Sequence, residues 1–490
     1  MEKKNTWETY TNEQLREVDL FAKEYMNFLD LGKTERECVD YIVNVIEKNG
    51  YRELSSLIRA GESLKKGDKV YSVWMNKTVV MFRLGEKPMS EGMNILGAHI
   101  DSPRLDVKQN PLYEDGGFAY LDTHYYGGVK KYQWVTLPLA LHGVMVKKDG
   151  TTVEINIGEN EDDPVFFISD LLIHLAQEQL EKKAAKVIEG EALDIIIGNK
   201  PILLEKNVAT EKESSGKEKK NSKKKDVEEK TAEKAKEAVK QGVLDILKKT
   251  YDVEEEDFLS AELEVVPAGR AREAGLDRSM ILAYGQDDRV CAFSSLKAML
   301  EVEDSERCAC CLLVDKEEIG SVGATGIQSR FFENAVAEVM NLAGEYSELN
   351  VRRALASSCM LSSDVSSAYD PSFASCFDKK NVAYLGGGMV FMKFTGARGK
   401  SGSNDANAEY LAHIRQIFEK EKVNFQTAEL GKVDVGGGGT IAYILALYGM
   451  NVIDSGVAVM NMHAPWEATS KADVYETKRG YVAFLKGADL

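Results

Sequence analysis

The sequence predicts an α/β protein, in which a mostly parallel sheet flanked by helices is interrupted by an inserted second domain rich in β structure. Two observations lead to this prediction. Apolar runs of strand length alternate with helical runs over much of the chain. Such alternation is typical of a parallel sheet covered by helices on both faces. In the middle of the chain the alternation gives way to hairpin patterns and a long polar tract.

The amino-terminal region predicts helical structure followed by a hairpin. Between about residues 11 and 49, apolar residues recur at three- and four-residue spacing, which is typical of one buried helix face. These residues include Leu15, Val18, Ala22, Tyr25 and Leu29. The following sequence, KVYSVWMNKTVVMFRL, predicts strands near residues 69–74 and 78–84, separated by an Asn-Lys break suited to a turn.

From residue 279 onward the sequence predicts alternating helices and strands. The helical runs are VCAFSSLKAML, RFFENAVAEVMNLAG and GTIAYILALYG, and the strand runs are CACCLLVD, ALASSCMLSSD and SGVAVMNMH. Alternation along CACCLLVD places Cys310 on one face of its strand and Cys311 on the other. We therefore expect buried, reduced thiols rather than a zinc knuckle or a disulfide.

The stretch at residues 106–269 predicts the inserted domain, so residues 1–105 and 270–490 would form one discontinuous domain. Its segment LHGVMVKKDGTTVEINIG is typical of an antiparallel hairpin with a Lys-Asp-Gly turn. A tract at about residues 205–240 is rich in lysine and glutamate and lacks aromatic residues. This composition indicates a solvated loop and exposed helix rather than a nucleic-acid site.

The overall composition narrows the class of protein. A length of 490 residues exceeds one ordinary core, and a formal net charge of −17 disfavours attraction to nucleic acid or an anionic membrane. The polar amino terminus shows no secretory signal. The longest apolar stretch, TIAYILALYGMNVIDSGVAVM, is interrupted by Asn451 and Asp454, which argues against a membrane span. We therefore expect a cytoplasmic protein without nucleic-acid or membrane partners.

Four apolar runs each end in residues that are able to bind a metal ion. These residues are His99, the pair Glu317 and Glu318, Asp364, and His463. Open α/β sheets bind ligands outside the carboxyl ends of their strands. We therefore expect these side chains to converge on one crevice, where they would serve a metal-dependent enzyme.

His99 is followed by Asp101 in GAHIDSPRLD. A metal-bound imidazole usually donates its other N–H to a carboxylate, and this spacing puts both side chains on the same side of an extended segment. A hydrogen-bonded histidine at a strand end fits the spacing equally well.

Adjacent carboxylates occur at two places in the sequence, Glu317-Glu318 and Asp287-Asp288. Glu317 and Glu318 repel each other, which favours a nearby cation, and one could bind metal while the other acts as a general base. The alternative is an exposed acidic turn. Asp287, in AYGQDDRVCAF, could bridge two cations or cap the helix that follows, and Asp364 is open to the same two interpretations. Mixed imidazole and carboxylate ligands suit Zn²⁺, with Mn²⁺ or Co²⁺ as substitutes.

Taken in order, five motifs resemble the aspartyl aminopeptidase family of dinuclear zinc exopeptidases. They are GAHIDSPRLD, YGQDDRVCAF, VDKEEIGSVGATG, SSDVSSAYDP and MNMHAPWE. The resemblance covers nearly the whole chain. It implies a zinc exopeptidase-like fold and an activity that removes the amino-terminal residue from peptides.

The resemblance also implies a role for each candidate residue. The ligands of two Zn²⁺ per subunit would be His99, Asp287, Glu318, Asp364 and His463. Asp287 would bridge the two ions, one of which would take His99 and Asp364 and the other Glu318 and His463. Glu317 would be the general base, and Asp101 the carboxylate behind His99.

Substrate contacts and assembly are implied in the same way. Lys393, in VFMKFTGARGK, resembles the lysine that holds an acidic side chain in acid-selective members. The sequence departs nearby, with Ser367 in place of a histidine and no aromatic residue between Arg398 and Asn404. His174 resembles a histidine that reaches a neighbouring subunit's active site, a core histidine being the alternative. The resemblance also implies assembly as a tetrahedral dodecamer, with the inserted domain mediating subunit contacts.

Other functions stay open at this stage. A related dinuclear-zinc deacylase or carboxypeptidase would use the same centre, because fold and metals do not select the substrate. An inactive peptide-binding scaffold is the non-enzyme alternative. Gly436–Gly439 precede a helix and could face a nucleotide phosphate, but no P-loop Lys-Ser/Thr pair follows them. A loop that shapes the substrate pocket is the favoured interpretation.

Overall fold

The computed structural model describes residues 5–202 and 237–489, which group into two compact units. The first unit contains the described residues of Met1–Pro103, Gly127–Val129 and Gly269–Leu490. The second contains those of Arg104–Tyr126 and Lys130–Ala268. Most of the lysine- and glutamate-rich tract at residues 205–240 lies outside the described residues.

Strands and α-helices alternate along most of the first unit. Over the whole described chain the strands are β1 (Arg52–Glu53), β2 (Lys69–Trp74), β3 (Thr78–Arg83), β4 (Met93–His99), β5 (Arg104–Asp115), β6 (Phe118–Tyr126), β7 (Leu139–Val146), β8 (Thr152–Ile157), β9 (Ile195–Gly198), β10 (Ala261–Pro267), β11 (Arg272–Ala274), β12 (Met280–Ala283), β13 (Cys308–Val314), β14 (Cys359–Ser363), β15 (Ser366–Ser367), β16 (Met389–Met392), β17 (Phe425–Thr427), β18 (Asn451–Gly456), β19 (Ala458–Met460) and β20 (Glu467–Ser470). The α-helices are α1 (Asn12–Leu31), α2 (Glu35–Lys48), α3 (Leu54–Ala60), α4 (Gln177–Leu180), α5 (Ala184–Val187), α6 (Ala238–Tyr251), α7 (Gln286–Glu301), α8 (Phe331–Leu342), α9 (Glu348–Ala356), α10 (Ala408–Lys420), α11 (Ala442–Ala446) and α12 (Lys471–Gly487).

A mixed sheet with parallel strands at its centre organises the first unit. Within the described residues its order is β1-β2-β3-β13-β4-β14-β18-β16-β17. The central strands β13, β4, β14 and β18 are parallel, so their carboxyl ends meet at one edge. Antiparallel pairs lie on both sides of this block, between β3 and β13 and between β18 and β16. The α/β prediction is therefore right, and the parallel pairing is concentrated in the strands that precede the candidate ligands.

Two apolar cores lie on the two faces of this sheet, since alternate residues of its strands face opposite sides. Cys311 packs in the core with α1, α2, α7 and α12, whereas Cys310 packs in the core with α3, α8 and α9. The predicted placement of these thiols on opposite faces is confirmed. All seven cysteines of the sequence lie in described residues and are free thiols.

The predicted helical stretch at residues 11–49 forms two helices. α1 begins at a capping box of Thr11 and Gln14 and ends at Gly32, and α2 begins at a second capping box of Thr34 and Glu37. Each box satisfies backbone N–H groups that the first helical turn leaves without partners. The apolar spacing continues through the whole stretch, but the capping residues divide it into two helices.

The predicted strand SGVAVMNMH is wrong as a single element. β18 ends at Gly456, and β19 belongs to a separate sheet whose described order is β11-β12-β20-β19-β15. His463 lies in the turn between β19 and β20, with a left-handed φ of 65°. Apolar patterning shows that a segment is buried, but it does not show where a chain leaves one sheet for another. The strand in ALASSCMLSSD is also shorter than predicted, because its first three residues end α9.

The second unit is built on an antiparallel sheet. Within its described residues the strand order is β8-β7-β10-β5-β6-β9, and each neighbouring pair is antiparallel. The predicted hairpin around the Lys-Asp-Gly turn corresponds to β7 and β8. In neither described stretch of the chain is there a helix long and apolar enough to cross a membrane.

We predict that Phe293→Ala destabilises the first unit by about 3–5 kcal/mol, because large-to-small changes in a packed core leave a cavity. Phe293 is buried in α7, with its ring centroid 5.3 Å from Phe21, 5.5 Å from Tyr25 and 5.4 Å from Phe28. Urea denaturation followed by circular dichroism measures the change. Leu20→Ala on α1 is the control, because Leu20 is 61% exposed and should cost less than about 0.5 kcal/mol. Equal effects of the two variants would contradict this description of the core.

Candidate metal centre

Asp287 lies in the first turn of α7, and its backbone is held on both sides. Its N–H donates to Glu467 Oε2 at 3.0 Å, and its carbonyl accepts a hydrogen bond from Ser102 Oγ at 2.7 Å. Gly285 precedes the helix with a left-handed φ of 71°, which favours glycine. No side chain of the described residues caps this helix, so helix capping is wrong as the role of Asp287. Its carboxylate instead faces two imidazoles.

One group of candidate ligands joins Asp287 to His99 and Asp364. Asp287 Oδ1 lies 3.3 Å from His99 Nε2, and one ligand atom from each of the three buried residues lies within 4.8 Å of the others. His99 ends β4, and Asp364 follows β14, its parallel neighbour. The sheet therefore brings two sequence-distant candidate ligands to the same edge, as the strand pattern predicts.

A second group joins the same Asp287 to Glu318 and His463. Asp287 Oδ2 lies 3.2 Å from His463 Nε2, which is 3.6 Å from Glu318 Oε1. The candidate ligand atoms of this group also lie within 4.8 Å of one another. Because Asp287 belongs to both groups, with one oxygen toward each histidine, its carboxylate is placed as a bridge between two positions.

Both histidines present the same ring nitrogen to the centre. The carbonyl of Gly128 lies 3.0 Å from His463 Nδ1, and the carbonyl of Asp101 lies 3.0 Å from His99 Nδ1. A carbonyl oxygen only accepts hydrogen bonds, so each Nδ1 carries a proton and donates it. Each Nε2 is thereby left facing Asp287, which is the orientation that metal-bound imidazoles take.

Asp101 connects His99 to the two glutamates. Its carboxylate lies 3.3 Å from His99 Nδ1, and its two oxygens accept the N–H groups of Glu317 and Glu318 at 3.2 Å each. These glutamates form a short 3₁₀ turn that follows Lys316, whose φ is 69°. The turn directs Glu318 toward His463, while Glu317 Oε2 lies 4.0 Å from His99 Nε2. His99, Glu317 and Glu318 form a third group whose candidate ligand atoms lie within 4.8 Å of one another.

Glu467 is a buried carboxylate of this centre that the sequence reasoning did not identify. Its Oε1 accepts the N–H of His463 at 2.8 Å, and its Oε2 accepts the N–H of Asp287. The signal in the sequence is its place four residues after His463, in MHAPWE. That spacing becomes informative only once the turn between β19 and β20 is known.

Burial and mutual charge perturb the titration of the whole group. Burial raises the pKa of Glu318 well above its ordinary value, and the charge of Asp287 adds to the rise. Burial likewise raises the pKa of Asp364, with Glu317 contributing. Burial alone would lower the pKa of His463, but its contacts with Asp287 and Glu318 raise that pKa to about 10. Without a cation, therefore, protons on the imidazoles and carboxylates offset the crowded negative charge.

The residues present fit a divalent cation. Glu318 Oε1 is buried and accepts no hydrogen bond from any described residue, and it faces an imidazole nitrogen. An unpartnered buried carboxylate oxygen is costly, and a bound metal ion removes that cost. Nitrogen and oxygen ligands in groups of three suit zinc. The same fit holds for the group around His99, because burial opposes the ionisation of Asp364 there.

Glu317 differs from the other carboxylates because it is partly open. Its side chain is 16% exposed, whereas that of Glu318 is 4% exposed. Burial raises the pKa of Glu317 to about 7, with Asp101 and Asp287 contributing to the rise. A carboxylate with a pKa near neutrality beside a metal centre is suited to accept and return a proton.

Neither candidate substrate contact, Lys393 or His174, belongs to a group of candidate ligands in the described residues. Lys393 follows β16, and its ammonium pairs with Asp405 Oδ1 at 2.9 Å, while Lys400 pairs with the other oxygen at 2.7 Å. His174 is exposed in the second unit, so its interpretation as a core histidine is wrong. The loop Gly436–Gly439 packs against Gly396, whose N–H donates to the Gly438 carbonyl, and it borders a cavity of about 290 Å³.

Comparison with known proteins gives the family of the chain. A family model described as aminopeptidase I zinc metalloprotease (M18) matches residues 28–485. A probable M18 family aminopeptidase 1 of Clostridium acetobutylicum is 58% identical over 484 residues, which is 99% of this chain and 98% of the relative.

Solved structures show the same fold. The crystal structure of an M18 family aminopeptidase from Thermotoga maritima matches with a TM-score of 0.89 and 42% identity, over 100% of both chains. The structure of the S. cerevisiae mApe1 dodecamer matches with a TM-score of 0.72 and 19% identity, over 96% of this chain and 97% of that one. At that lower identity the likeness concerns the fold alone.

We predict that zinc affinity increases as the pH rises from about 6 to 9, because a cation must displace protons held by the cluster. The sign follows from His463, whose pKa is raised to about 10, so its ring is protonated at neutral pH when no cation is bound. Zinc needs the neutral ring, and alkaline conditions lower the cost of deprotonating it. Calorimetry in buffers of different ionisation enthalpy should show release of at least about one proton per zinc. A pH-independent affinity without proton release would contradict this description.

Proposed function

This chain belongs to the M18 family of zinc metalloprotease aminopeptidases, and we propose that its centre holds two zinc ions and hydrolyses the first peptide bond of peptides. The ligands would be His99, Asp287, Glu318, Asp364 and His463. The observation that carries this proposal is the shared position of Asp287 in two groups of ligand atoms. One ion would take His99 and Asp364, and the other Glu318 and His463, with Asp287 bridging them.

The chain's own residues divide the work of hydrolysis. When bound, the zinc pair supplies Lewis acidity to the peptide carbonyl and makes a water more acidic. Glu317 then takes a proton from the attacking water and later delivers it to the leaving amine. Asp101 contacts His99 Nδ1 and accepts the N–H of Glu317. These contacts fix the position of the proposed ligand His99 relative to the proposed base Glu317. His99 and His463 stay oriented through their Nδ1 donors.

Family membership favours an aminopeptidase over a deacylase or carboxypeptidase that uses a similar centre. The ligand set argues against an inactive scaffold, because five buried or half-buried ionisable ligands would be a costly arrangement without a bound ion. Mn²⁺ or Co²⁺ remain suitable substitutes for zinc, since the ligands are imidazoles and carboxylates.

A preference for amino-terminal Asp or Glu would depend on Lys393. In the structure this lysine and Lys400 share one carboxylate, that of Asp405. Two ammonium groups on one carboxylate leave a net positive charge, which an acidic substrate side chain would complement. Asp405 competes for the same ammonium groups, so we propose a moderate acidic preference rather than a strict one.

We also propose assembly as a dodecamer, with the second unit in subunit contacts. His174 lies in a run of exposed apolar residues, which suits a buried interface in an assembly. These residues are Leu171, Leu172, Ile173 and Leu175, each at least 46% exposed. The yeast structure of the same fold is a dodecamer. The proposed compartment is the cytoplasm, supported by seven free thiols.

We predict that Glu317→Gln lowers kcat by about 10²- to 10⁴-fold, because the amide does not accept the proton of the attacking water. Zinc content should stay at the wild-type value, since Glu317 is not a proposed ligand. Steady-state assays with aminoacyl-p-nitroanilides and metal analysis of the same samples test both parts. Glu318→Gln is the matched control, and it should lose zinc as well as activity. Full activity of Glu317→Gln on every peptide tested would overturn its role.

We predict that Lys393→Ala reduces kcat/KM for Asp and Glu substrates about tenfold or more, while Leu substrates change little, because a charge-assisted contact contributes roughly 1.5–3 kcal/mol. Lys400→Ala is the control, since it removes the other ammonium group from Asp405. A scan of aminoacyl-p-nitroanilides compares the three proteins. An equal loss on acidic and apolar substrates would show that Lys393 does not set selectivity.

A further inference from the structure

Glu467 joins two candidate ligands that are distant in sequence. It is 1% exposed, at the start of β20, and its two oxygens accept the N–H groups of His463 and Asp287 at 2.8 and 3.0 Å. β20 pairs with β12 so that Glu467 lies opposite Ala283. The helix α7, whose first turn contains Asp287, begins three residues after Ala283. The carboxylate therefore lies between the turn that carries one ligand and the helix that carries the other.

Both partners of the Glu467 side chain are backbone N–H donors, and a carboxylate offers one acceptor oxygen to each. A second contact holds the residue in place, because Gln286 Nε2 donates to the Glu467 carbonyl at 2.6 Å. Glu467 is thus fixed through its backbone while its side chain fixes two other backbones.

The ligands that Glu467 holds are those that need support. His463 has a φ of 65°, a left-handed conformation that few residues other than glycine adopt. The cost of that conformation is of order 1–3 kcal/mol, so it persists only where neighbouring contacts impose it. Asp287 belongs to two of the three groups of candidate ligand atoms and faces both histidines, so a shift of its backbone would affect both of those groups.

We propose that Glu467 is a positioning residue of the metal centre: it sets the separation of Asp287 and His463 by accepting both of their backbone N–H groups. This inference rests on the proposed zinc site. Asp101 uses the same device on the other side, where it accepts the N–H groups of Glu317 and Glu318. The centre is therefore held by two carboxylates, each bridging two backbone amides, and neither of these carboxylates is a proposed zinc ligand.

The test is the zinc affinity of Glu467→Gln in the full-length chain, measured by competition with a chromophoric chelator. Glutamine keeps the size of the side chain but offers one acceptor and one NH₂ donor, so one backbone N–H faces a donor. We expect zinc affinity to fall about 10- to 100-fold, as for other residues that orient metal ligands. The loss should be largest for the ion that His463 would bind.

Asp473→Asn is the matched control. Asp473 is fully buried in the first turn of α12, and its two oxygens accept the N–H groups of Gly386 and Gly388 at 2.8 and 2.7 Å. Asp473, like Glu467, is a buried carboxylate that accepts two backbone N–H groups, but neither of its partners is a candidate ligand. Both variants should lower the melting temperature of the zinc-free protein, and only Glu467→Gln should weaken zinc binding.

Glu467→Asp separates charge from reach and also serves if the glutamine variant does not fold. It keeps the negative charge, but its shorter side chain does not span both N–H groups, so we expect weakened zinc binding here too. Wild-type affinity in the aspartate or the glutamine variant would overturn the inference, as would equal zinc loss in Asp473→Asn. Wild-type protein that binds no zinc would overturn the metal centre itself, and this inference with it.

Discussion

The carboxylate of Asp287 lies between the imidazoles of His99 and His463, and because it is buried there its charge must be compensated by the surrounding groups. An ionised carboxylate loses several kcal/mol of hydration when buried, so it must be paired and hydrogen-bonded. Burial opposes its ionisation, yet its contacts with the two histidines hold its pKa below the ordinary range. The nearby carboxylates do not all have lowered pKa values, because burial raises those of Glu318 and Asp364. A cluster with these opposed tendencies has a charge distribution that fits a divalent cation.

Such a cluster also needs a rigid frame, and the frame is made of backbone contacts. The parallel block of β13, β4, β14 and β18 brings the strand ends to one edge. Asp101 and Glu467 then connect the loops that follow, each by accepting two backbone N–H groups. The spacing of the candidate ligands therefore depends on main-chain positions, which vary less than side-chain rotamers. Such an arrangement would give candidate ligands on loops the precision that metal binding requires.

Several features of this protein follow from the sequence because they are local. Strand-length apolar runs, the pattern of alternating helices and strands, and the two faces occupied by Cys310 and Cys311 depend on periodicities of a few residues. The ordered motifs around His99, Asp287, Glu318, Asp364 and His463 indicated the family and its zinc chemistry. Convergence of His99 and Asp364 was predictable too, because carboxyl ends of neighbouring parallel strands meet at one edge.

Tertiary structure alone decided the rest. The chain changes sheets after Gly456, which places His463 in a turn rather than at a strand end, and this depends on partners that no local pattern reveals. Glu467 comes to lie between the N–H groups of His463 and Asp287 only when β20 pairs with β12 beside the start of α7. Lys393 could be assigned a charge from the sequence, but its pairing with Asp405 depends on how a loop folds back. Sequence determines which chemical groups are available and their local periodicity, whereas hydrogen bonds between distant backbones determine where those groups meet.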